Sequence, residues 1–308
     1  MRILFWGTPD FATSPLRALI GEGFDVVGVV TQPDRPRGRS RSTLVPPPVK
    51  EVALEEGIPV LQPERPRGDE FVGALRDLEP ELSVVVAYGH ILRQEIIDLP
   101  RLGTLNIHAS LLPALRGAAP IQAAIRQRLP ETGISIMRMV LALDAGPVLH
   151  QLRTPISDDE TYGELQARLA ELGALALVES LSLVAHGAAR ETPQDDARAT
   201  YAPKVERADA RVAWDADAAE VSAQIRAYDP RPGAFTTARG AELKLFGSRV
   251  IAERAGRPGE VLAVDDGLIV ACARGAVRVA QVQPAGKGRM RSIDWARGRS
   301  VAVGDVLE

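Results

Sequence analysis

The stretch MRILFWGTPDFATSPLRALIGEGFDVVGVV, residues 1–30, decides how the rest of the chain is read. An apolar run from Met1 to Trp6 stops at Gly7, a periodic segment from Pro15 to Ile20 stops at Gly21 and Gly23, and a β-branched run from Asp25 to Val30 follows. That order spells strand, turn, helix, strand. Ser14 is placed to cap the helix and Pro15 to sit at its first position, where a missing N–H costs nothing. Outward from this unit, apolar runs recur at Ser83 to Ala87 and Thr104 to Ile107, with helical patterns at Val49 to Glu56 and Asp69 to Leu78. Strands alternating with helices predict an α/β domain with a mostly parallel sheet covered on both faces. Ligands of such sheets lie at the carboxyl ends of the strands.

Two more strand-like stretches, Ile134 to Leu141 and Val148 to Pro155, precede a long amphipathic segment from Thr161 to about His186 that closes the first domain. Residues 188–205 mix Pro, Gln, Asp and Thr without periodicity, the composition of a linker. Beyond it the pattern changes. One helical pattern, Glu220 to Tyr228, is followed by short strand candidates at Ala234 to Thr237, Leu243 to Phe246, Glu260 to Val264, Leu268 to Cys272 and Ala276 to Val282. Strands without intervening helices predict a small antiparallel barrel or sandwich. The expected domains are therefore 1–187 and 206–308, joined by 188–205, in keeping with ~100 to 200 residues per domain for a chain of 308.

Hydrophobic residues make up 45% and charged residues 25%, which excludes a disordered or collagen-like chain. No apolar run approaches the ~20 residues of a membrane helix, and a cytoplasmic location is the expectation. A single cysteine, Cys272, offers neither an internal disulfide nor a zinc cluster and is read as core filler. The net charge of −3 is modest, but Arg35, Arg37, Arg39 and Arg41 fall in one short stretch, and Lys287, Arg289, Arg291, Arg297 and Arg299 in another. Such clusters suit a polyanion as well as they suit a solvated face.

The densest polar cluster beside a strand is Asn106-Ile107-His108-Ala109-Ser110-Leu111-Leu112-Pro113, followed by Arg116-Gly117-Ala118-Ala119-Pro120-Ile121-Gln122. Alternate residues of a strand share a face, so Asn106 and His108 point the same way at its end. A second candidate is an acid at the end of another strand, Asp144 in Leu143-Asp144-Ala145-Gly146. Asp144 alone suits an ordinary turn, whereas Asn106 and His108 together favour a cleft. The four histidines are too scattered for a metal motif, no Walker-type phosphate loop occurs, and Gly7 alone does not make a dinucleotide site, so neither metal nor NAD is expected.

These segments resemble the methionyl-tRNA formyltransferases, within the wider group of enzymes that use 10-formyltetrahydrofolate. The resemblance is carried by Gly7-Thr8-Pro9-Asp10-Phe11-Ala12, Thr31-Gln32-Pro33-Asp34-Arg35-Pro36, the run Asn106 to Gln122, and Leu143-Asp144-Ala145-Gly146. It continues through Thr200-Tyr201-Ala202-Pro203-Lys204, Ile225 to Pro230 and Gln283-Pro284-Ala285-Gly286-Lys287, so it covers nearly the whole chain. It departs at Ala109, at Ala114-Leu115 and at Ala145.

The resemblance implies a Rossmann-like formyltransferase domain followed by a small OB-like β-barrel that helps to hold tRNA. It implies a catalytic trio of Asn106, His108 and Asp144, with Ser110, Leu111, Leu112 and Pro113 at the folate site. Tyr88, Gly89, His90, Ile91 and Leu92 would form a wall of the pterin pocket, and Arg35, Arg37, Arg39 and Arg41 would meet the acceptor stem of initiator methionyl-tRNA. A monomer is expected. The rivals are another 10-formyltetrahydrofolate-dependent formyltransferase acting on a small amine, and a non-enzymatic RNA-binding protein, which would leave the trio without a purpose.

Overall fold

The computed structural model describes residues 1–37 and 43–308, which divide into two compact units. One unit comprises residues 1–117, 132–154 and 166–201, and the other 118–131, 155–165 and 202–308. In chain order the elements begin with β1 (Arg2–Gly7), α1 (Thr13–Gly21), β2 (Asp25–Val30), β3 (Arg35–Arg37), β4 (Thr43–Val45), α2 (Pro48–Glu55) and β5 (Val60–Leu61). Then come α3 (Asp69–Asp77), β6 (Leu82–Val86), α4 (Gln94–Ile97), β7 (Thr104–His108), α5 (Pro120–Arg126), β8 (Glu131–Arg138), β9 (Val148–Pro155) and α6 (Tyr162–Ala185).

The sheet of the first unit runs β5-β2-β1-β6-β7-β8-β9. Strands β5, β2, β1, β6 and β7 are parallel, and β8 turns antiparallel to β7. The strand order reverses at β1, which lies between β2 and β6, and a reversal opens a crevice beyond the carboxyl ends of the strands. Gly7 ends β1 there because the chain turns back on itself: a Cβ at this position would sit 2.8 Å from Ala12 Cβ and from Phe5 Cε1. All five residues of β6 are buried, and the core beside it gathers Leu4, Trp6, Val72, Leu75, Tyr88 and Ile96. Trp6 meets Tyr88 edge to face at 5.2 Å and its indole N–H donates to Ser83 Oγ at 3.3 Å.

The helix after β1 starts differently from its sequence expectation. A 3-10 turn at Asp10–Ala12 leads straight into α1, whose N-cap is Ala12 with no side-chain cap, so Ser14 lies inside the helix instead of before it. The turn supplies what a cap would: Ala12 N–H is taken by the Pro9 carbonyl at 2.9 Å, and Thr13 Oγ1 donates to the Asp10 carbonyl at 2.7 Å.

The second unit continues with α7 (Ala218–Ala227) and the strands β10 (Ala234–Ala238), β11 (Ala241–Ile251), β12 (Val261–Ala263), β13 (Leu268–Ala271), β14 (Ala276–Pro284) and β15 (Met290–Arg291), then α8 (Ser292–Trp295). They form an antiparallel sheet in the order β10-β11-β14-β13-β12, with β15 on β14. The sheet curls closed through residues 305–308. Glu308 exchanges both main-chain bonds with Thr237 on β10, while Leu307 N–H donates to the Gly259 carbonyl and Val261 N–H to the Asp305 carbonyl beside β12. Helix α7 packs on β11, where the Ser222 and Ser248 hydroxyls meet at 3.0 Å. Cys272 is buried in this sheet, and desolvation pushes its thiol up to about 12, so it stays protonated. Among the described residues, no helix is long and apolar enough to cross a membrane.

Candidate active site

Strand β7 carries Asn106 and His108 to the carboxyl edge of the sheet, with Asn106 opposite Met137 and His108 opposite Ser135 on β8. His108 is buried, and its Nε2 lies 2.9 Å from the Leu115 carbonyl. A carbonyl only accepts, so Nε2 carries the proton in this contact. Nδ1 faces Oδ2 of Asp144 at 3.7 Å, close enough for an ion pair but longer than a hydrogen bond. Asp144 arrives from the loop after β8, and the same Oδ2 accepts the Gly117 N–H at 2.7 Å. The side chains are only 6% and 14% exposed, so water screens the pair weakly. Asn106 is half-buried, and its side-chain amide has no hydrogen-bond partner among the described residues.

Beyond His108 the chain folds into a stapled loop. Ser110 is buried and its Oγ donates to the Ala114 carbonyl at 2.5 Å, while its own carbonyl accepts from Ser135 Oγ at 2.6 Å. Leu112 N–H donates to Ser135 Oγ at 3.0 Å, and Gln151 Nε2 donates to the Leu112 carbonyl at 3.0 Å. Leu111 and Pro113 are half-buried in this loop, and the Leu112–Pro113 bond is cis.

At the end of β6 the five residues 88–92 divide. Tyr88 and Leu92 turn into the core, and burial pushes the Tyr88 phenol up to about 12. The Tyr88 carbonyl, by contrast, is gathered by Thr8 Oγ1 at 3.0 Å and Gln32 Nε2 at 3.1 Å, which joins the ends of β1, β2 and β6. Gly89 is exposed, His90 is half-buried with its ring 5.6 Å from that of Tyr88, and Ile91 is 88% exposed.

The arginine-rich stretch forms an antiparallel hairpin of β3 and β4, with Arg35 opposite Val45 and Arg37 opposite Thr43. Arg39 and Arg41 lie outside the described residues. The base of the hairpin is fixed by Asp34, whose carboxylate accepts from Lys50 Nζ at 2.8 Å and from Gln62 Nε2 at 2.8 Å. The hydrogen bonds from Gln62 and then Lys50 hold that carboxyl below the usual carboxylate range. Arg35 Nη2 reaches Gln32 Oε1 at 2.7 Å.

Family models described as "Formyl transferase" and "Formyl transferase, C-terminal domain" match residues 1–181 and 204–300. The methionyl-tRNA formyltransferase of Moorella thermoacetica is 46% identical over 309 residues, covering 100% of this chain and 99% of its own. That of Bacillus subtilis is also 46% identical over 309 residues, covering 99% of this chain and 97% of its own. The chain belongs to the methionyl-tRNA formyltransferase family. A family fold extends further: HypX from Aquifex aeolicus, solved in complex with tetrahydrofolic acid, superposes with a TM-score of 0.67 at 22% identity. That match covers 97% of this chain and 47% of HypX, so the chain spans about half of HypX.

In this member of the methionyl-tRNA formyltransferase family, some residues around the candidate site carry no signal of their own in the sequence. Gln194 lies in the stretch whose composition reads as a linker, yet its Nε2 reaches the Asp144 and Gly146 carbonyls. Thr200, whose Oγ1 accepts from Leu115 N–H at 2.9 Å, opens the run Thr200 to Lys204 that carries part of the resemblance, but no role for it is legible there. Gln151 stands in a strand where its neighbours give no reason to single it out. Arg116 had a signal, since it opens the motif Arg116 to Gln122, but no role.

Proposed function

We propose that this chain transfers the formyl group of 10-formyltetrahydrofolate to the α-amino group of methionine on initiator methionyl-tRNA, and that Asn106, His108 and Asp144 surround the carbon that moves. The observation that carries the assignment of residues is the approach of His108 Nδ1 to Asp144 Oδ2 at 3.7 Å, beside an Asn106 amide with no partner among the described residues. 10-Formyltetrahydrofolate supplies an amide-like formyl group, and negative charge builds on its oxygen as the amine attacks. The donor set fits that oxygen: the Asn106 NH2 is uncommitted and pointed from the same face as His108. In other enzymes the loss of one such donor costs about 10²- to 10³-fold in rate.

Free α-amines titrate at ~7.7 to 8.0, so part of the methionyl amine is already neutral near pH 7, and the proton it sheds on attack needs an acceptor. Nδ1 of His108 and the Asp144 carboxylate face each other and can hold that proton before it passes through water to N10 of the departing folate. The Leu115 carbonyl fixes the ring by accepting a hydrogen bond from Nε2–H, which leaves Asn106 as the donor to the formyl oxygen. Ser110 spends its hydroxyl on Ala114 and is a loop staple, so no covalent enzyme intermediate enters.

Residues 88–92 and 110–113 lie at the ends of neighbouring strands and suit the walls of the folate site. The hairpin arginines Arg35 and Arg37, with Arg39 and Arg41, suit tRNA phosphates, and the cluster from Lys287 to Arg299 suits either further phosphates or a solvated face. The division of labour that follows is a catalytic domain over 1–187, a linker over 188–205 and a tRNA-binding domain over 206–308, in a monomeric cytoplasmic enzyme. The test mixes purified protein with 10-formyltetrahydrofolate and charged methionyl-tRNA and looks for N-formylmethionine. Formylation of a small amine in preference to methionyl-tRNA would replace this reading with the small-amine one, and no transfer to either would reject both.

A further inference from the structure

The Asp144 loop is tied to a segment that composition assigns to a linker. Gln194 Nε2 donates at 2.8 Å to the Asp144 carbonyl and at 2.6 Å to the Gly146 carbonyl. Its Oε1 accepts from Nε and Nη2 of Arg116 at 3.1 and 2.8 Å. Arg116 is 3% exposed, and its Nη2 also donates to Asp196 Oδ1 at 2.7 Å. The residues on either side of Arg116 touch the two reacting side chains: the Leu115 carbonyl takes His108 Nε2, and the Gly117 N–H donates to Asp144 Oδ2. Segment 115–117 is itself anchored on Thr200, through Leu115 N–H to Oγ1 and Arg116 N–H to the carbonyl. The contacts close a ring that runs His108, Leu115, Arg116, Gln194, Asp144 and back to His108.

The chemistry of the ring asks for an amide at position 194. Two carbonyls need donors and a guanidinium needs an acceptor, and a primary amide provides both from one planar group. Asp144 also needs to be held, because its backbone lies at φ +48°, a region that non-glycine residues enter at a cost and keep only when their surroundings enforce it. We infer that Gln194, fixed by Arg116, is a positioning residue for formyl transfer that sets where the Asp144 carboxylate stands against His108. The inference rests on the catalytic roles given above to Asp144 and His108.

The discriminating variant is Gln194→Glu. A carboxylate keeps the length and pairs more strongly with Arg116, so the segment stays docked, but it has no proton for the two carbonyls. The expected result is a kcat about 10²-fold lower, as for small misplacements of a catalytic group, with KM for both substrates unchanged and the melting temperature lowered only as far as two carbonyls without donors require. Because Gln194 acts through Asp144, Gln194→Glu added to Asp144→Asn should cost little more than Asp144→Asn alone in single-turnover assays. A kcat for Gln194→Glu near that of the wild type, with Asp144→Asn inactive, would overturn the inference and leave the catalytic reading intact. So would a loss that adds in full to that of Asp144→Asn. Normal turnover by Asp144→Asn would instead remove the catalytic reading itself.

Discussion

Two carboxylates in this chain, Asp144 in the first unit and Asp294 in the second, both face cations or potential cations, and they live in opposite surroundings. Asp144 is nearly buried, takes a main-chain N–H at 2.7 Å and faces an imidazole whose other nitrogen is already held. Asp294 is 41% exposed and is gripped by the side chains of Arg291 at 2.8 Å and Arg297 at 3.8 Å. Backbone donors in a dry corner fix a position; flexible guanidinium groups in water neutralise a charge and little more. The same functional group is therefore a matter of geometry in one place and of net charge in the other.

The comparison breaks most visibly at Asp144. Asp144→Asn keeps the size and the Gly117 contact but removes the charge facing His108. It should cost about 10²- to 10⁴-fold in turnover, the range for a positioned acid or base, with a thermal melt close to that of the wild type. Rapid-quench formylation alongside a melting curve measures both, and a variant that turns over normally would place Asp144 with Asp294 as an electrostatic ornament.

Next in size is a change that moves the loop and leaves its carboxylate. A Cβ on Gly146 would sit 1.8 Å from the Arg138 carbonyl, so Gly146→Ala must push the strand β8 backbone and the 142–147 turn apart. Overpacking of this kind costs about 1 to 3 kcal/mol, and a shift of about 1 Å in Asp144 is enough for a 10²-fold loss in kcat. Gly146→Ala should lower both the melting temperature and kcat, whereas Asp144→Asn lowers kcat alone. Wild-type behaviour in both assays would mean that the turn absorbs the side chain elsewhere.

The exposed carboxylate sharpens the other arm. Asp294→Ala releases Arg291 and Arg297, which are 64% and 76% exposed, from their internal counter-charge. If this face meets tRNA phosphates, binding should tighten and the slope of log affinity against log salt should steepen by about 1 to 2, one step for each phosphate newly met. Filter binding across a salt series reads both quantities. An unchanged slope would assign residues 291–297 to a solvated face. Arg289 behaves differently from either, since it stacks on Phe246 at 4.2 Å and is bound by buried Asp229 at 2.7 Å, so it is committed to structure.

How much of this was legible beforehand follows the same division. The strands β2 and β9 carry the bounds that β-branched and apolar runs give them, because such runs decide their own conformation. Asn106 and His108 stood out since two polar residues sharing a face at the end of an apolar strand favour a cleft, whereas Asp144 by itself reads as an ordinary turn residue and was singled out only by the family resemblance. The hairpin of β3 and β4 was hidden by Pro36, which does not look like a strand residue but is tolerated in so short a ribbon. Gln194 left no trace because its partners, Arg116, Asp144 and Gly146, are remote in sequence and its own neighbourhood lacks any period. Pattern reaches as far as local preference does, and a single glutamine holding three remote groups expresses no local preference.

The smallest effect expected is at the foot of the arginine hairpin, where Asp34 is intermediate between the two carboxylates. It is 26% exposed in its side chain, takes Lys50 Nζ and Gln62 Nε2, and its carboxyl is held below the usual value of 3.8 by those partners, Gln62 foremost. A depressed carboxyl favours the folded state above the unfolded value and loses that contribution as pH falls through the folded one. Asp34→Asn retains an acceptor for Gln62 while losing the charge opposite Lys50. At pH 7 the variant should melt slightly below the wild type, by less than about 1 kcal/mol, and the gap should close once the pH drops under the folded pKa, where Asp34 is protonated too. Paired thermal melts at neutral and acid pH decide the point. A gap that persists at acid pH would show that the hairpin foot is held by the shape of the side chain, as the Asp144 loop is, and not by its charge.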